Sequence, residues 1–258
     1  MTYEAIEYSV SDKVATITLN RPEVLNGLSD QMRAEILDAI REAPKEAKVV
    51  VITGKGRGFC AGQDLGGAKD VTQIDLEGIL RDEYEPMLRA IYDCPLPVIS
   101  AVNGPAAGAG ANLALAADVV IAKESAYFLQ AFAPIGLIPD AGGTYFLPRN
   151  IGLAKAMGAA MFADKISAKQ ASDWGMIWEA VPDEAFDETV AKRAATIANG
   201  PSEAFRRIKK TLRASLENSL DDQLKMEARV QGKLGKSHDF QEGVLAFLEK
   251  RKPKFEGR

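Results

Sequence analysis

Val49-Val50-Val51-Ile52-Thr53-Gly54-Lys55-Gly56-Arg57-Gly58-Phe59-Cys60-Ala61-Gly62-Gln63-Asp64 is an unbroken β-branched run that ends in a glycine-rich loop. Such a run, with no polar alternation, is the pattern of a strand buried on both faces. The pattern recurs at Pro97-Val98-Ile99-Ser100-Ala101-Val102, followed by Asn103-Gly104 and Gly108-Ala109-Gly110. Neighbouring parallel strands put their carboxyl ends on one sheet edge, where ligands commonly bind. Glycines there let the backbone approach a ligand closely. Residues 62–64 and 108–111 can therefore each direct a backbone N–H at one ligand atom, and two such donors make an oxyanion hole. The helix after Ala109 adds its positive end. For one loop alone, close strand–helix packing is the simpler explanation of the glycines.

Upstream, residues 4–9 and 14–19 alternate apolar and polar side chains and read as a hairpin turning at Ser11-Asp12-Lys13. Ser29 or Asp30 is placed to cap an amphipathic helix carrying Met32, Ile36, Leu37 and Ile40. Downstream lie a polar stretch over 66–75 and a helix over 76–92. A small-residue helix follows Gly110 and leads to a strand at Val119-Val120-Ile121. From Gly142 onward the pattern is almost wholly helical, with one more strand over 176–181 and a capping-box spacing at Ser167-Ala168-Lys169-Gln170. The chain thus predicts an α/β core over 1–200 and a helical region over 201–258, joined at the turn-forming Asn199-Gly200-Pro201.

At 258 residues and 47% hydrophobic content, the chain can form one large domain with a helical appendage. A net charge of −4 and a pI of about 5.3 argue against a uniformly basic nucleic-acid face. The acidic first residues lack an apolar signal core, and Cys60 and Cys94 form neither a metal nor a redox spacing. Both features predict reduced thiols in a cytoplasmic protein. His238 is the only histidine, which leaves no multi-histidine metal site and argues against a Ser-His-Asp hydrolase. Residues 97–122 are apolar enough in length for a membrane span, but Asn103, Asn112 and Asp118 interrupt them, so a buried strand–turn–helix–strand is predicted and no membrane partner. The glycines at 54, 56 and 58 and at 108 and 110 do not complete G-x-G-x-x-G, which weakens a nicotinamide-enzyme alternative.

Gly136-Leu137-Ile138-Pro139-Asp140-Ala141-Gly142-Gly143-Thr144 places one carboxylate in an otherwise apolar, glycine-bent loop. Two readings stay open on local grounds. Asp140 caps the helix beginning near Gly142, or it is a desolvated carboxylate with a raised pKa, suited to proton transfer near neutral pH. Cys60 reads as a small buried thiol, because no histidine or lysine base is placed to activate it. Arg206, Arg207, Lys209 and Lys210 share one helix and read as a solvated basic face, with a role at CoA phosphates as the alternative.

Asn20-Arg21-Pro22 with Asn26, Phe59-Cys60-Ala61-Gly62-Gln63-Asp64-Leu65, Ala101-Val102-Asn103-Gly104 and Gly142-Gly143-Thr144 resemble, in order and spacing, the crotonase (enoyl-CoA hydratase/isomerase) superfamily. The resemblance covers essentially the whole chain. It implies a spiral of strand–strand–helix turns and a C-terminal helical region that builds homotrimers or dimers of trimers. It also implies an acyl-CoA thioester substrate, no metal, and no cofactor beyond the coenzyme A of the substrate. By motif position, the N–H groups of Gln63 and Ala109 hold the thioester oxygen; alanine stands where the family often has glycine, and it keeps the N–H. Leu25, Ala61, Gly62, Asp64, Leu65, Phe132, Pro139 and Tyr145 fall at substrate-binding positions. Phe128, Leu129, Ile138 and Phe146 are further candidates for a dry lining. Phe247 and Lys250 fall in the last helix, where family members contact the CoA nucleotide, sometimes from a neighbouring subunit.

Departures from the family pattern narrow the implied chemistry. Typical hydratases carry two catalytic glutamates, at positions that here hold Asn112 and Phe132. Neither residue can activate water as a carboxylate does. Asn112 then reads as a core hydrogen-bonding residue. Asp140 falls where family isomerases and a related dehalogenase use an aspartate. Its loop, with Gly108-Ala109-Gly110-Ala111 and Trp174-Gly175-Met176-Ile177-Trp178, resembles the ring-1,2-epoxyphenylacetyl-CoA isomerases of phenylacetate breakdown, which are similar in chemistry to Δ3,Δ2-enoyl-CoA isomerases. The implied function is isomerisation by one aspartate. An enoyl-CoA hydratase of broad acyl specificity is the alternative. Some crotonase relatives bind AU-rich RNA, but the acidic balance argues against that, and the intact Asp140 and oxyanion loops argue against a scaffold without activity.

Overall fold

The computed structural model describes residues 3–64 and 74–258. Leu65 and most of the polar stretch 66–75 lie outside the described residues. The N-terminal hairpin forms as the alternation predicts: β1 (Ile6–Ser11) pairs antiparallel with β2 (Val14–Leu19), and the turn residues Asp12 and Lys13 both take positive φ, 49° and 64°. That is the backbone a two-residue hairpin requires. Next come α1 (Asp30–Glu42), with the Ser29 hydroxyl accepting from Met32 N–H at its start, and β3 (Val49–Gly54). The helix expected over 76–92 is present but not uniform. It runs as α2 (Leu76–Ile79), a π-helical turn (Leu80–Tyr84) and α3 (Glu85–Asp93). Then follow β4 (Val98–Val102), β5 (Ala106–Ala107), α4 (Ala109–Leu115), β6 (Val119–Lys123) and β7 (Tyr127–Leu129). The remaining elements are α5 (Gly143–Phe162), β8 (Ile166–Ser167), α6 (Ala168–Asp173), β9 (Glu179–Val181), α7 (Phe186–Ala198), α8 (Ser202–Ala214), α9 (Leu220–Leu234) and α10 (His238–Leu248).

Among the described residues, six strands form the main sheet in the order β1-β2-β3-β4-β6-β9, parallel from β2 onward. Its central strands are buried on both faces, as their unbroken apolar runs predict. Val49, Val51, Ile99, Ala101 and Ile121 pack against Phe186, Ala194 and Ala198 of α7. Val50, Ile52, Val98, Val102 and Val120 face the larger core under α1 and α3. A small second sheet, β5-β7-β8, stands beyond the carboxyl ends of the central strands. Its strands are two or three residues long, too short to show a period in sequence. For the same reason the strand expected over 176–181 shrinks to β9, while Met176 and Ile177 go into the core. α5 is interrupted at Gly152, whose φ of 73° is not helical.

The chain turns between α7 and α8 where Asn199-Gly200-Pro201 predicts it. α8 is nevertheless tied to the core. Lys209 and Arg213 both pair with Asp118, at 2.9 and 2.8 Å, and Lys209 is almost fully buried. Arg206 and Arg207 pair with Glu203. The basic run on α8 is therefore not the uniformly solvated face its sequence suggests, because Asp118, remote in sequence, draws two of the cations inward. No helix among the described residues is long and apolar enough to cross a membrane.

Candidate active site

Three loops carry the candidate residues: two follow the carboxyl ends of β3 and β4, and the third is tied to α4 through Asn112. The first carries Gly62 and Gln63, the second Gly108 and Ala109, the third Asp140. A backbone bond locks the first two together, Ala107 N–H donating to Cys60 C=O at 2.9 Å, and Leu28 N–H, donating to Gly62 C=O at 2.8 Å, ties the first to the segment before α1. Gly62 takes φ +94°, and a Cβ there would lie 2.8 Å from Ala107 O and 3.3 Å from the Ala109 nitrogen. Only glycine fits that conformation and that approach. The backbone N–H groups of Gln63 and Ala109 donate to no acceptor among the described residues. Ala109 is also the first residue of α4, where the helix dipole favours negative charge.

The Gln63 side chain is clamped from behind. Its Oε1 accepts from the Tyr84 hydroxyl at 2.5 Å and from an Arg33 N–H at 3.1 Å. Arg33 is buried, donates to Leu28 C=O at 2.7 Å, pairs with Glu83, and stacks over the Tyr84 ring. Burial drives the Tyr84 hydroxyl pKa well above its ordinary value, so it stays a donor. Asp64 pairs with Arg21 at 2.6 Å, and Arg21 also donates to Gly27 C=O. Asn26 braces the same corner, accepting from Arg21 N–H and donating to Lys55 and Gly58 carbonyls. The Asn-Arg-Pro motif thus holds the Gln63 loop in place.

Asp140 does not cap α5. The cap residue is Gly142, φ 82°, and no side chain bonds the helix start. Its carbonyl accepts instead from Gly143 N–H and from Asn112 Nδ2, both at 2.8 Å. The carboxylate Oδ1 is buried with no partner among the described residues. Desolvation by burial pushes the Asp140 pKa from 3.8 up to about 6, against a lowering by its own backbone N–H. Of the two local readings, the buried and bare Oδ1 favours the carboxylate poised for proton exchange.

Asp140 lines a cavity of about 750 Å³ together with Leu80, Tyr84, Leu88, Tyr92, Ile138, Pro139, Tyr145, Phe146 and others. The Tyr92 and Tyr145 hydroxyls face each other at 3.3 Å, and Tyr145 packs edge-on to Phe146. Pro139, Tyr145, Ile138 and Phe146 are thus gathered around Asp140. Phe128 is wholly buried in the core instead, and Phe132 is buried with its ring tip 3.8 Å from where a Cβ on Gly108 would stand. Leu25 is half-buried and Ala61 exposed, with Ala61 N–H donating to Leu25 C=O at 2.9 Å. Phe247 lies apart in a groove with Pro201, Leu234, Phe240 and Phe255, and Lys250 is exposed just after α10; neither lines the Asp140 cavity. Cys60 is fully buried, and burial pushes its thiol pKa up to about 12, which removes it as a nucleophile.

Tyr84 and Arg33 are the residues that reading the sequence missed. A signal was available: Leu80, Tyr84, Leu88 and Tyr92 recur every four residues, and all four line the cavity. Tyr84 is the last residue of the π turn. Among the described residues, no cluster of His, Cys, Asp or Glu could hold a metal.

Gln63 and Ala109 do not line the Asp140 cavity. This fold, with its paired glycine-rich loops, is that of the crotonases. The enoyl-CoA hydratase/isomerase family profile matches residues 9–258, and the chain belongs to that family. It is 59% identical to a Rhodobacter capsulatus protein described as a probable enoyl-CoA hydratase, over the full length of both. It is 45% identical to the 1,2-epoxyphenylacetyl-CoA isomerase of Escherichia coli, over 99% of each chain. A crystal structure of an enoyl-CoA hydratase/isomerase-family protein of Mycobacterium abscessus superposes with a TM-score of 0.93 at 38% identity, covering 98% of this chain and 100% of that one.

Proposed function

We propose that this enzyme is an acyl-CoA isomerase in which Asp140 is the single proton shuttle and the N–H groups of Gln63 and Ala109 hold the thioester oxygen. With a 3-enoyl thioester, Asp140 takes a proton from C2, and the C–H electron pair moves toward the thioester oxygen to give a dienolate. The protonated Asp140 then returns the proton at C4, which leaves the double bond between C2 and C3. With a ring-1,2-epoxyphenylacetyl thioester, the same carboxyl would assist opening of the three-membered ring to the oxepin. Coenzyme A belongs to the substrate, and no separate cofactor is needed. The observation that carries this reading is the partnerless, desolvated carboxylate oxygen of Asp140 in an aromatic cavity, with neutral Asn112 and Phe132 at the two hydratase glutamate positions.

The likeness to the Rhodobacter capsulatus protein favours a second reading, hydration of a 2-enoyl-CoA. The two are separated by assaying conversion of a 3-enoyl-CoA to its 2-enoyl isomer beside hydration of crotonyl-CoA. Isomerisation well above hydration supports the proposal, and dominant hydration refutes it. The exposed Met161 and Phe162 on α5 and Phe247 and Leu248 on α10 support a homo-oligomer, a trimer or dimer of trimers. In such an assembly, Phe247 and Lys250 would meet the CoA nucleotide of a neighbouring subunit's site.

A further inference from the structure

Two neutral amides lie buried behind the Asp140 loop. Asn112, on α4, and Gln130, just after β7, are both wholly inaccessible. Gln130 Nε2 donates to Asn112 Oδ1 at 3.0 Å, and Asn112 Nδ2 donates to the Asp140 carbonyl at 2.8 Å. The polarity of this chain follows from its end. The Asp140 carbonyl can only accept, so Asn112 must turn its NH2 toward it and its oxygen toward Gln130. Gln130 must then present its own NH2, and its Oε1 is left buried without a partner among the described residues. An unsatisfied buried acceptor costs stability, so the arrangement is retained at the expense of Gln130. The loop is built to receive the amide: a Cβ on Gly143 would stand 2.4 Å from Asn112 Nδ2. β7 is fixed to the same helix, since Gly108 N–H donates to Leu129 C=O at 2.8 Å.

Asn112 lies three residues after Ala109 on α4, and residues so spaced share a helix face. One short helix thus carries an oxyanion donor at its first residue and the amide that holds the base loop one turn later. We propose that Asn112, oriented by Gln130, is a positioning residue that uses α4 as a rigid spacer to set the Asp140 carboxyl relative to the Ala109 N–H. The proposal rests on the isomerase reading for its kinetic consequence, but not for its structural one.

Two variants test it. Asn112→Ala removes the tether, so the kcat for isomerisation should fall about tenfold to a hundredfold with KM nearly unchanged, because small misplacements of a reacting group cost that much. Gln130→Glu keeps the shape, yet its carboxyl can donate to Asn112 only while protonated. Its kcat should show a falling limb with rising pH that the parent enzyme lacks. The groups that face Asp140 across the cavity are Tyr84, Glu85 and Arg89 from the π turn and α3, Tyr92, Tyr145 from α5, and Glu217 after α8; none is altered in either variant. A carbon-13 NMR titration of Asp140 in the substrate-free protein, assigned with Asp140→Asn, reads the tether without any reaction. Asn112→Ala should lower the midpoint as water reaches the loosened carboxyl. If the enzyme proves not to isomerise, the titration alone decides the tether. An unmoved Asp140 midpoint in folded Asn112→Ala overturns the proposal, and so does a Gln130→Glu profile that parallels the parent's in an enzyme that does isomerise.

Discussion

Asp118 and Asp140 are both half-buried aspartates beside the main sheet, and they are treated oppositely. Asp118 accepts from Val98 N–H at 2.8 Å and pairs with Lys209 and Arg213. Every charge there has an opposite charge beside it, and the cluster fastens α8 to the sheet. Asp140 has its carbonyl held twice and one carboxylate oxygen left bare. The paired carboxylate of Asp118 has both oxygens engaged by cations. A bare one in an apolar cavity titrates where proton transfer in both directions is possible. Both aspartates are half-buried, and the difference between them lies in the partners of their carboxylate oxygens.

The largest test of this contrast is Asp140→Asn. Isomerisation should fall by about a hundredfold to ten-thousandfold, the usual worth of a positioned acid–base group, while circular dichroism and acyl-CoA binding stay unchanged. Undiminished turnover would remove Asp140 from the mechanism. Asp118→Asn should do the reverse. Removing one partner of a buried pair leaves Lys209 uncompensated, so urea unfolding should show a loss of about 3 kcal/mol with kcat little altered in the folded fraction. A loss of activity without a loss of stability would break the comparison.

The smallest expected effect concerns stability against pH. The folded pKa of Asp140 is raised from 3.8 to about 6, so the folded state binds the extra proton between those values. The charge then penalises the fold increasingly as pH rises through that window and fully above it. Asp140→Asn should therefore match the parent's melting temperature near pH 4 and exceed it by a few degrees at pH 7. An Asn variant that melts lower at pH 7 would mean the carboxylate is partnered after all.

Much of the frame was legible in the sequence. The continuous apolar runs at 49–53 and 97–102 predicted strands buried on both faces, and α7 and the α1–α3 side cover them as expected. Ser29 and Ser167 cap helices where their spacing indicates. The hairpin turn and the break before α8 fell where local chemistry put them. The π turn, the two- and three-residue strands of the second sheet and the burial of Lys209 were not legible. They depend on partners far along the chain or are too short to carry a period.

The candidate site divides in the same way. Glycine at 62, the carboxylate at 140 and the absence of carboxylates at 112 and 132 are local facts, because backbone freedom and side-chain chemistry belong to single residues. Whether Asp140 would cap a helix or stay bare depended on the positive φ of Gly142 and on Asn112, 28 positions away, taking its carbonyl. The clamp of Tyr84 and Arg33 on Gln63 likewise joins three segments that the chain keeps apart. Pairwise contacts of this kind exist only once the fold has gathered the loops, since desolvation and hydrogen bonding depend on neighbours in space and not on neighbours in sequence.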